Sequence, residues 1–405
     1  MNAQLNRRSL LGLGASLGIG VTFLGGQAFA ASEGDLAKKK LVVVICRGGM
    51  DGLSVSPPVG DPNYAALRGS IAMKPDEVLK LDGTFGLHPE LSTVHALALK
   101  GEARIAPAIA SPDRARSHFE AQDVLETGAS GVYGADTGWL NRTLEVLAPI
   151  RPVEGLSVGG TAPLILRGKV QAASWSPGKG VDESARLPAL LQDLYKTDPL
   201  LGPAFASGLE TEAMAQRAMT AMAPAPGMNM AAGPKRRDDE TARKLGSTLG
   251  GFMVQPGGPQ IAVISLDGFD THAGQPSLIA TRLSYLDTVL DGLHTGLGAE
   301  WKNTVVIAVT EFGRTARVNG TGGTDHGTAS TGLILGGALK PGGIVGDWPG
   351  LAQSALFENR DTAPTLDMRS LFKGVLTEHM GVDRAILETK VFPDSKTAKP
   401  LIGLA

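Results

Sequence analysis

The chain alternates between short apolar runs and longer segments with helical spacing. Lys40–Cys46 reads Lys-Leu-Val-Val-Val-Ile-Cys, β-branched and without polar alternation. That is the pattern of a strand covered on both faces. Arg104–Ala110, Gln260–Leu266 and Thr304–Thr310 are further apolar runs, Thr331–Leu335 is a shorter one, and Ser157–Leu166 is expected to hold one more. Between them Ser117–Glu126, Thr241–Met253, Leu278–Leu297 and Leu366–Met380 read as helices, with Leu278–Leu297 long and amphipathic. Strands separated by helices predict an α/β fold with a mainly parallel central sheet. No internal repeat is present.

Two segments depart from this alternation. Residues 169–243 carry charged helical patterns at Leu187–Tyr195 and Glu210–Met222, then a Pro-, Ala-, Gly- and Met-rich piece from Pro224 to Pro234. The stretch is expected to be a helical insertion or cap with a mobile tip. Residues 1–30 are expected to be an address. Asn6-Arg7-Arg8-Ser9-Leu10-Leu11 is a twin-arginine pattern, an uncharged glycine-rich apolar run follows to about Gly26, and Ala28-Phe29-Ala30 is a small-residue cleavage signal. A membrane anchor is the alternative, opposed by the Gly and Ala content and by the cleavage signal. Export by the twin-arginine translocase would leave residues 31–405 as a single domain, periplasmic or secreted, with no stable membrane anchor.

Composition narrows the function classes. With 42% hydrophobic and 19% charged residues the chain is globular, not disordered. Its formal net charge of −2, or −4 without the two leader arginines, offers no electrostatic footprint for nucleic acid. One cysteine, Cys46, excludes a disulfide framework and reads as a buried, inert thiol. Glycine is abundant, 54 of 405 residues, and much of it falls in turns beside polar residues.

Those turns carry the candidate chemistry. In an open α/β sheet, sites form at the carboxyl ends of strands. Arg47-Gly48-Gly49-Met50-Asp51-Gly52 follows the first strand: either a close-approach turn with a carboxylate at Asp51 or simply a capped turn. Asp267-Gly268-Phe269-Asp270-Thr271-His272 packs two carboxylates and an imidazole into six residues, a dense ligand group or a turn with capping aspartates. Glu311, at the end of the Thr304–Thr310 run, must be paired, metal-bound or protonated if buried. Arg314 is its candidate partner, or a bidentate clamp for an anionic substrate. Asp325 and His326 stand between Gly323 and Gly327, where each serves a centre or one positions the other. Ser117, with Glu120, matches a capping box, yet a serine at a helix N-terminus is also a candidate nucleophile. His118 is a candidate acid, base or ligand. His88, His95, His294 and His379 lack clustered partners and read as structural. Neither phosphate-binding glycine fingerprint is matched at its spacing.

These motifs, together with Asp347-Trp348-Pro349-Gly350-Leu351 and Thr365-Leu366-Asp367-Met368-Arg369, resemble the domain-of-unknown-function 1501 family. The resemblance covers nearly the whole mature chain and is loosest over residues 170–240. The family is typically exported by the twin-arginine route and has no settled activity. It is similar in turn to the alkaline phosphatase and sulfatase superfamily. That similarity implies a three-layer sandwich with a mainly parallel central sheet, and one or two divalent metal ions (zinc, calcium or magnesium). Residue by residue it implies Asp51 as the first-strand ligand, Ser117 as nucleophile, and Asp270, His272 and His326 as ligands. Glu311-Phe312 stands where the superfamily has Asp-His, so one histidine ligand is missing. A single-metal site, a harder metal, or a lost activity each remains open. The expected function is metal-dependent hydrolysis of a small phosphate or sulfate ester. Metal ligands would come from Asp51, Asp270, His272, Glu311, Asp325 and His326, and Ser117, His118, Arg314 and Arg47 would serve the reaction. The alternative is a binding or assembly protein on a degenerate scaffold.

Overall fold

The computed structural model describes residues 19–24, 27–32, 38–148, 154–158, 163–175 and 234–405, with isolated positions between 195 and 217. The helices expected at Leu187–Tyr195 and Glu210–Met222 lie almost entirely outside these residues. Within the segment read as a leader, β1 (Ile19–Leu24) and β2 (Gln27–Ser32) pair antiparallel as a separate sheet.

Among the described residues, eight strands form the central sheet. In chain order they are β3 (Lys40–Cys46), β6 (Ala103–Ala110), β7 (Gly155–Val158), β8 (Ala173–Trp175), β9 (Ile261–Leu266), β10 (Thr304–Val309), β11 (Ser330–Leu335) and β12 (Leu366–Asp367). A small hairpin of β4 (Leu79–Lys80) and β5 (Gly86–Leu87) stands apart. The spatial order is β12-β6-β11-β10-β3-β9-β7-β8. Only β11 runs against the rest, pairing antiparallel with β10 and β6. The expected mainly parallel sheet is thus borne out. The central strands are fully buried, which is why they read as unbroken apolar runs.

Alternate residues of each strand feed two cores. Val42, Val44, Ala262, Ile264, Val306 and Ala308 face helices α3 (Ser92–Leu99), α6 (Pro234–Val254) and α7 (Gln275–Leu297). Leu41, Val43, Ile45, Val263, Val305 and Ile307 face α5 (Trp139–Leu147) and α8 (Met368–Glu378). Two short helices, α1 (Gly52–Val55) and α2 (Tyr64–Arg68), follow β3, and α4 (His118–Thr127) follows β6. The result is the expected three-layer α/β sandwich. Helices α6 and α7 lie in backbone contact. A Cβ on Gly246 would sit 2.0 Å from the Val289 carbonyl oxygen, and one on Gly292 would sit 2.3 Å from that of Arg243.

Several boundaries differ from expectation. Of the stretch expected as a strand, Ser157–Leu166, the described residues place Ser157 and Val158 in β7 and Leu164–Leu166 in a 3-10 turn. Within the segment read as a helical insertion, Ala173–Trp175 adds an edge strand, and α6 begins at Pro234, before Thr241. Proline suits the first turn of a helix, and α7 likewise starts early, with Pro276 in its first turn. Residues 366–367 form a short strand, so the last long helix begins at Met368 with Asp367 as its side-chain N-cap. No helix among the described residues is long and apolar enough to cross a membrane.

Candidate metal centre

All the polar clusters reach one edge of the sheet. The parallel strands β3, β6, β9 and β10 end there, and β11, running the other way, begins there. His118 follows β6, Asp270 and His272 follow β9, Glu311 and Arg314 follow β10, and His326 precedes β11. Residues far apart in sequence therefore become neighbours.

Four side chains converge. His272 Nε2 lies 3.0 Å from His326 Nε2 and 3.0 Å from Asp270 Oδ1. His326 Nε2 is 3.3 Å from Asp270 Oδ1, and His118 Nε2 is 3.5 Å from Asp270 Oδ2. His118, Asp270 and His326 each offer a ligand atom within 4.8 Å of the others. Donors on a tetrahedral zinc ion at about 2.0–2.1 Å lie about 3.4 Å apart. The four separations are of similar size, with His118 reaching Asp270 Oδ2 and the other two histidines reaching Oδ1, and His272 Nε2 also lies 3.4 Å from Arg314 Nη1. His118 Nε2 is buried without a hydrogen-bond partner, a condition that a bound cation would satisfy.

Each imidazole is oriented through its other nitrogen. His118 Nδ1 is 2.8 Å from Glu311 Oε1, His326 Nδ1 is 2.9 Å from the Arg116 carbonyl oxygen, and His272 Nδ1 is 3.4 Å from Asp325 Oδ1. A histidine whose Nδ1 donates to an oxygen presents a bare Nε2, the form that binds metal. Arg116 supplies its carbonyl from a left-handed conformation, φ 58°, held by ion pairs of its guanidinium to Asp361 and Glu358. The Phe312 ring stands 4.8 Å from both His118 and His326 and closes the underside.

The charges follow from these contacts. Burial works to raise the Glu311 carboxyl, but bonds from His118, Gln122 and the Gly48 N–H outweigh it and hold the group below its ordinary range. The same Glu311 bond raises the His118 imidazole. Burial also opposes ionisation of Asp270, yet the Arg314 guanidinium keeps it low. His326 is lowered, chiefly by burial, and Asp325 is lowered, chiefly by the Asn319 amide.

Other expected site residues are placed differently. Asp51 is fully buried and ion-paired with Arg68, and it accepts from Ser54 Oγ at 2.6 Å and Gln275 Nε2 at 2.5 Å. It does not join the converging set. Glu311, wholly buried, orients His118 and faces no open space. Asp325 touches the cluster only through His272 Nδ1. The guanidinium of Arg314 is buried and committed: it donates to the carbonyls of Gly49 at 2.8 Å, Gly48 at 3.0 Å and Thr324 at 3.2 Å, and to Asp270. Arg47 is held by Gln122 and Glu126, each at 2.7 Å. Ser117 is the backbone N-cap of α4, but its side chain makes no cap bond, so the expected capping box does not form. Ser117 is half-buried and immediately precedes His118 in the chain. Gly48 has φ +115°, and a Cβ there would lie 2.5 Å from the Asp270 nitrogen, so the close approach of these loops requires glycine.

Gln122, Arg116, Arg68 and Gln275 support the site without belonging to any of the sequence motifs. Gln122 has a readable signal, one turn after His118 on the same helix face. The others act across distances that no local pattern records. His88, His95, His294 and His379 lie outside the cluster; His379, for example, meets the Lys40 carbonyl at 2.8 Å.

A three-layer α/β protein with a histidine–aspartate cluster at the carboxyl edge of its sheet is the class that fold and site define. The chain belongs to the DUF1501 family of proteins of unknown function, which matches residues 38–391. No curated protein matches it. Among solved structures it is similar to a phosphonate monoester hydrolase of Agrobacterium radiobacter, at 12% identity over 85% of this chain and 74% of that one, TM-score 0.38. It is also similar to a protein in the alkaline phosphatase superfamily from Vibrio parahaemolyticus, at 10% identity over 76% of this chain and 62% of that one, TM-score 0.34. A third is the C-terminal periplasmic domain of EcEptC from Escherichia coli, in complex with zinc, at 9% identity over 74% and 72%, TM-score 0.33. The chain thus spans less than two thirds of the Vibrio protein's length. All three scores lie below 0.5, and no activity is transferred from these proteins.

Proposed function

We propose that the protein is an exported metal-dependent hydrolase of a small phosphate or sulfate ester. The observation that carries this reading is the convergence of three imidazole Nε2 atoms on Asp270, each ring fixed through its Nδ1. Three histidines and one carboxylate suit zinc better than calcium or magnesium, which favour all-oxygen sites. When bound, the ion would polarise the ester oxygens and lower the pKa of an attacking hydroxyl or water. His118, Asp270, His272 and His326 would hold it. Glu311, Asp325 and the Arg116 carbonyl would keep the imidazoles in the ligating tautomer. The Ser117 hydroxyl, free of the helix cap and next to His118, is the proposed nucleophile. The N–H groups at the start of α4 would receive an anionic substrate.

The test is metal analysis of the untagged exported protein together with hydrolysis of aryl phosphate and aryl sulfate. Stoichiometric zinc with turnover that Ser117→Ala removes is expected. No bound metal and no turnover would sink the proposal. One observation favours a second reading, a metal-holding binding module: Arg314 and Arg47 spend their guanidinium bonds on the protein itself. Bound metal with no turnover on either ester class would support that reading.

A further inference from the structure

Below the converging histidines lies a buried polar set that the reading above does not use. Gln275, Thr271, Thr324, Asp51, Ser54 and Arg68 are all shielded from solvent. Thr271 stands between Asp270 and His272, and Thr324 immediately precedes Asp325 and His326. Each ligand loop thus sends one hydroxyl inward.

Both hydroxyls meet one amide. Thr271 Oγ1 donates to Gln275 Oε1 at 2.9 Å, and Thr324 Oγ1 donates to the same oxygen at 2.6 Å. The amide nitrogen of Gln275 donates to Asp51 Oδ2 at 2.5 Å and Ser54 Oγ at 3.1 Å. An ionised carboxylate only accepts, so the NH2 group must face Asp51 and the oxygen must face the threonines. Two donors and two acceptor sites are the whole capacity of a primary amide, and all are used. Asp51 is itself anchored by Arg68. The amide therefore has one orientation and no slack.

We propose that Gln275 is a positioning residue that sets the separation of the two ligand loops and through it the affinity for metal. This rests on the metal-site reading. The backbone already ties the loops together, with Thr324 N–H donating to the Thr271 carbonyl at 3.2 Å and Gln275 N–H to that of Gly322 at 2.9 Å. Those bonds fix the loops near one another. The amide fixes the pitch of Asp270 and His272 against His326, because it grips Thr271 between the first two and Thr324 two residues before the third. Groups that orient ligands from outside typically change metal affinity on the order of 10–100-fold when altered.

The experiment is zinc affinity by competition with a chromophoric chelator on full-length protein, with thermal denaturation of the metal-free form alongside. Cobalt substitution adds a visible spectrum that reads the coordination geometry. Gln275→Met and Thr324→Val are expected to weaken zinc binding at least about tenfold and to alter the cobalt spectrum. Thr324→Ser, which keeps the hydroxyl, is expected to retain the wild-type values. Should Gln275→Met fail to fold, the Thr324 pair carries the test. Equal zinc affinity and cobalt spectra in wild type, Thr324→Val and Thr324→Ser would overturn the proposal while leaving the metal site standing. A folded wild type that binds neither ion would overturn both.

Discussion

Glu311 offers a sharp test of the energetics of the site. Its carboxylate is fully buried and accepts from the Gly48 N–H at 2.8 Å, His118 Nδ1 at 2.8 Å, Gln122 Nε2 at 3.1 Å and Thr310 Oγ1 at 2.9 Å. Three of these donors share Oε1. Glu311→Gln can keep an oxygen there and turn its NH2 toward Thr310. The Thr310 hydroxyl, which already accepts from the Met50 N–H at 2.9 Å, has a second lone pair to receive it. That change trades charge-assisted bonds for neutral ones and should cost about 1–2 kcal/mol. Glu311→Leu leaves the Gly48 N–H, the Gln122 amide and His118 without their acceptor. Removing one partner from such a buried set costs about 3–5 kcal/mol. The assay is chemical denaturation of both variants in the presence of a chelator, so that metal binding does not enter. A difference of about 1–4 kcal/mol between leucine and glutamine is expected from these ranges. Equal losses, or a leucine variant within about 1 kcal/mol of wild type, would refute the view that the carboxylate holds this region together.

Three further outcomes are expected. Burial holds His88 down at about 4 against an ordinary 6.5, so the unfolded chain takes up a proton between those values and the folded chain does not. Stability should be unaffected by this group above pH 6.5, fall as pH drops toward 4, and change no further below that, a total of about 3 kcal/mol; thermal midpoints against pH for wild type and His88→Asn should diverge over that window, and parallel curves would count against it. Gly292→Val should force α6 and α7 apart and lower stability by about 1–3 kcal/mol or more; an unchanged melting temperature would contradict the backbone contact described for that pair. If residues 1–30 are a twin-arginine leader as proposed, Arg7→Lys with Arg8→Lys should retain the protein in the cytoplasm on cell fractionation, and undiminished periplasmic protein would show that the segment is not such a signal.

The strands were the most legible part of the chain. β3, β9 and β10 are buried on both faces, so apart from Lys40, Ser265 and Thr304 their residues are apolar and the pattern needs no tertiary knowledge. β8 was not legible because three residues carry no period. Helix α5 shows a helical apolar spacing in Trp139, Leu140, Leu144 and Leu147. At the site, the ligand residues stood out as polar clusters after strands, which is a local signal. Their partners did not. Nothing in the sequence near Asp51 announces that Arg68 will neutralise it, or that Glu311 will turn to His118 and leave the open side of the cluster. Such assignments depend on which buried charge finds which counter-charge, and that is a property of the folded molecule. Conversely, Ser117 and Glu120 carry the capping-box spelling while the side-chain bond is absent. The spelling cannot tell a cap from a hydroxyl left uncommitted.

The order of the cluster along the chain bears on how the protein matures. His118 and Glu311 are 193 residues apart, and Asp270 and His326 are 56 apart. No contiguous segment holds the whole set, so a nascent or half-collapsed chain offers an ion only the Asp270–His272 pair and isolated imidazoles. The centre comes into being when the strands on either side of β10 have closed on it, a late event for contacts of such long sequence separation. Occupancy by an ion would then report completed folding, and a cell that releases only finished molecules could read loading and folding as a single event.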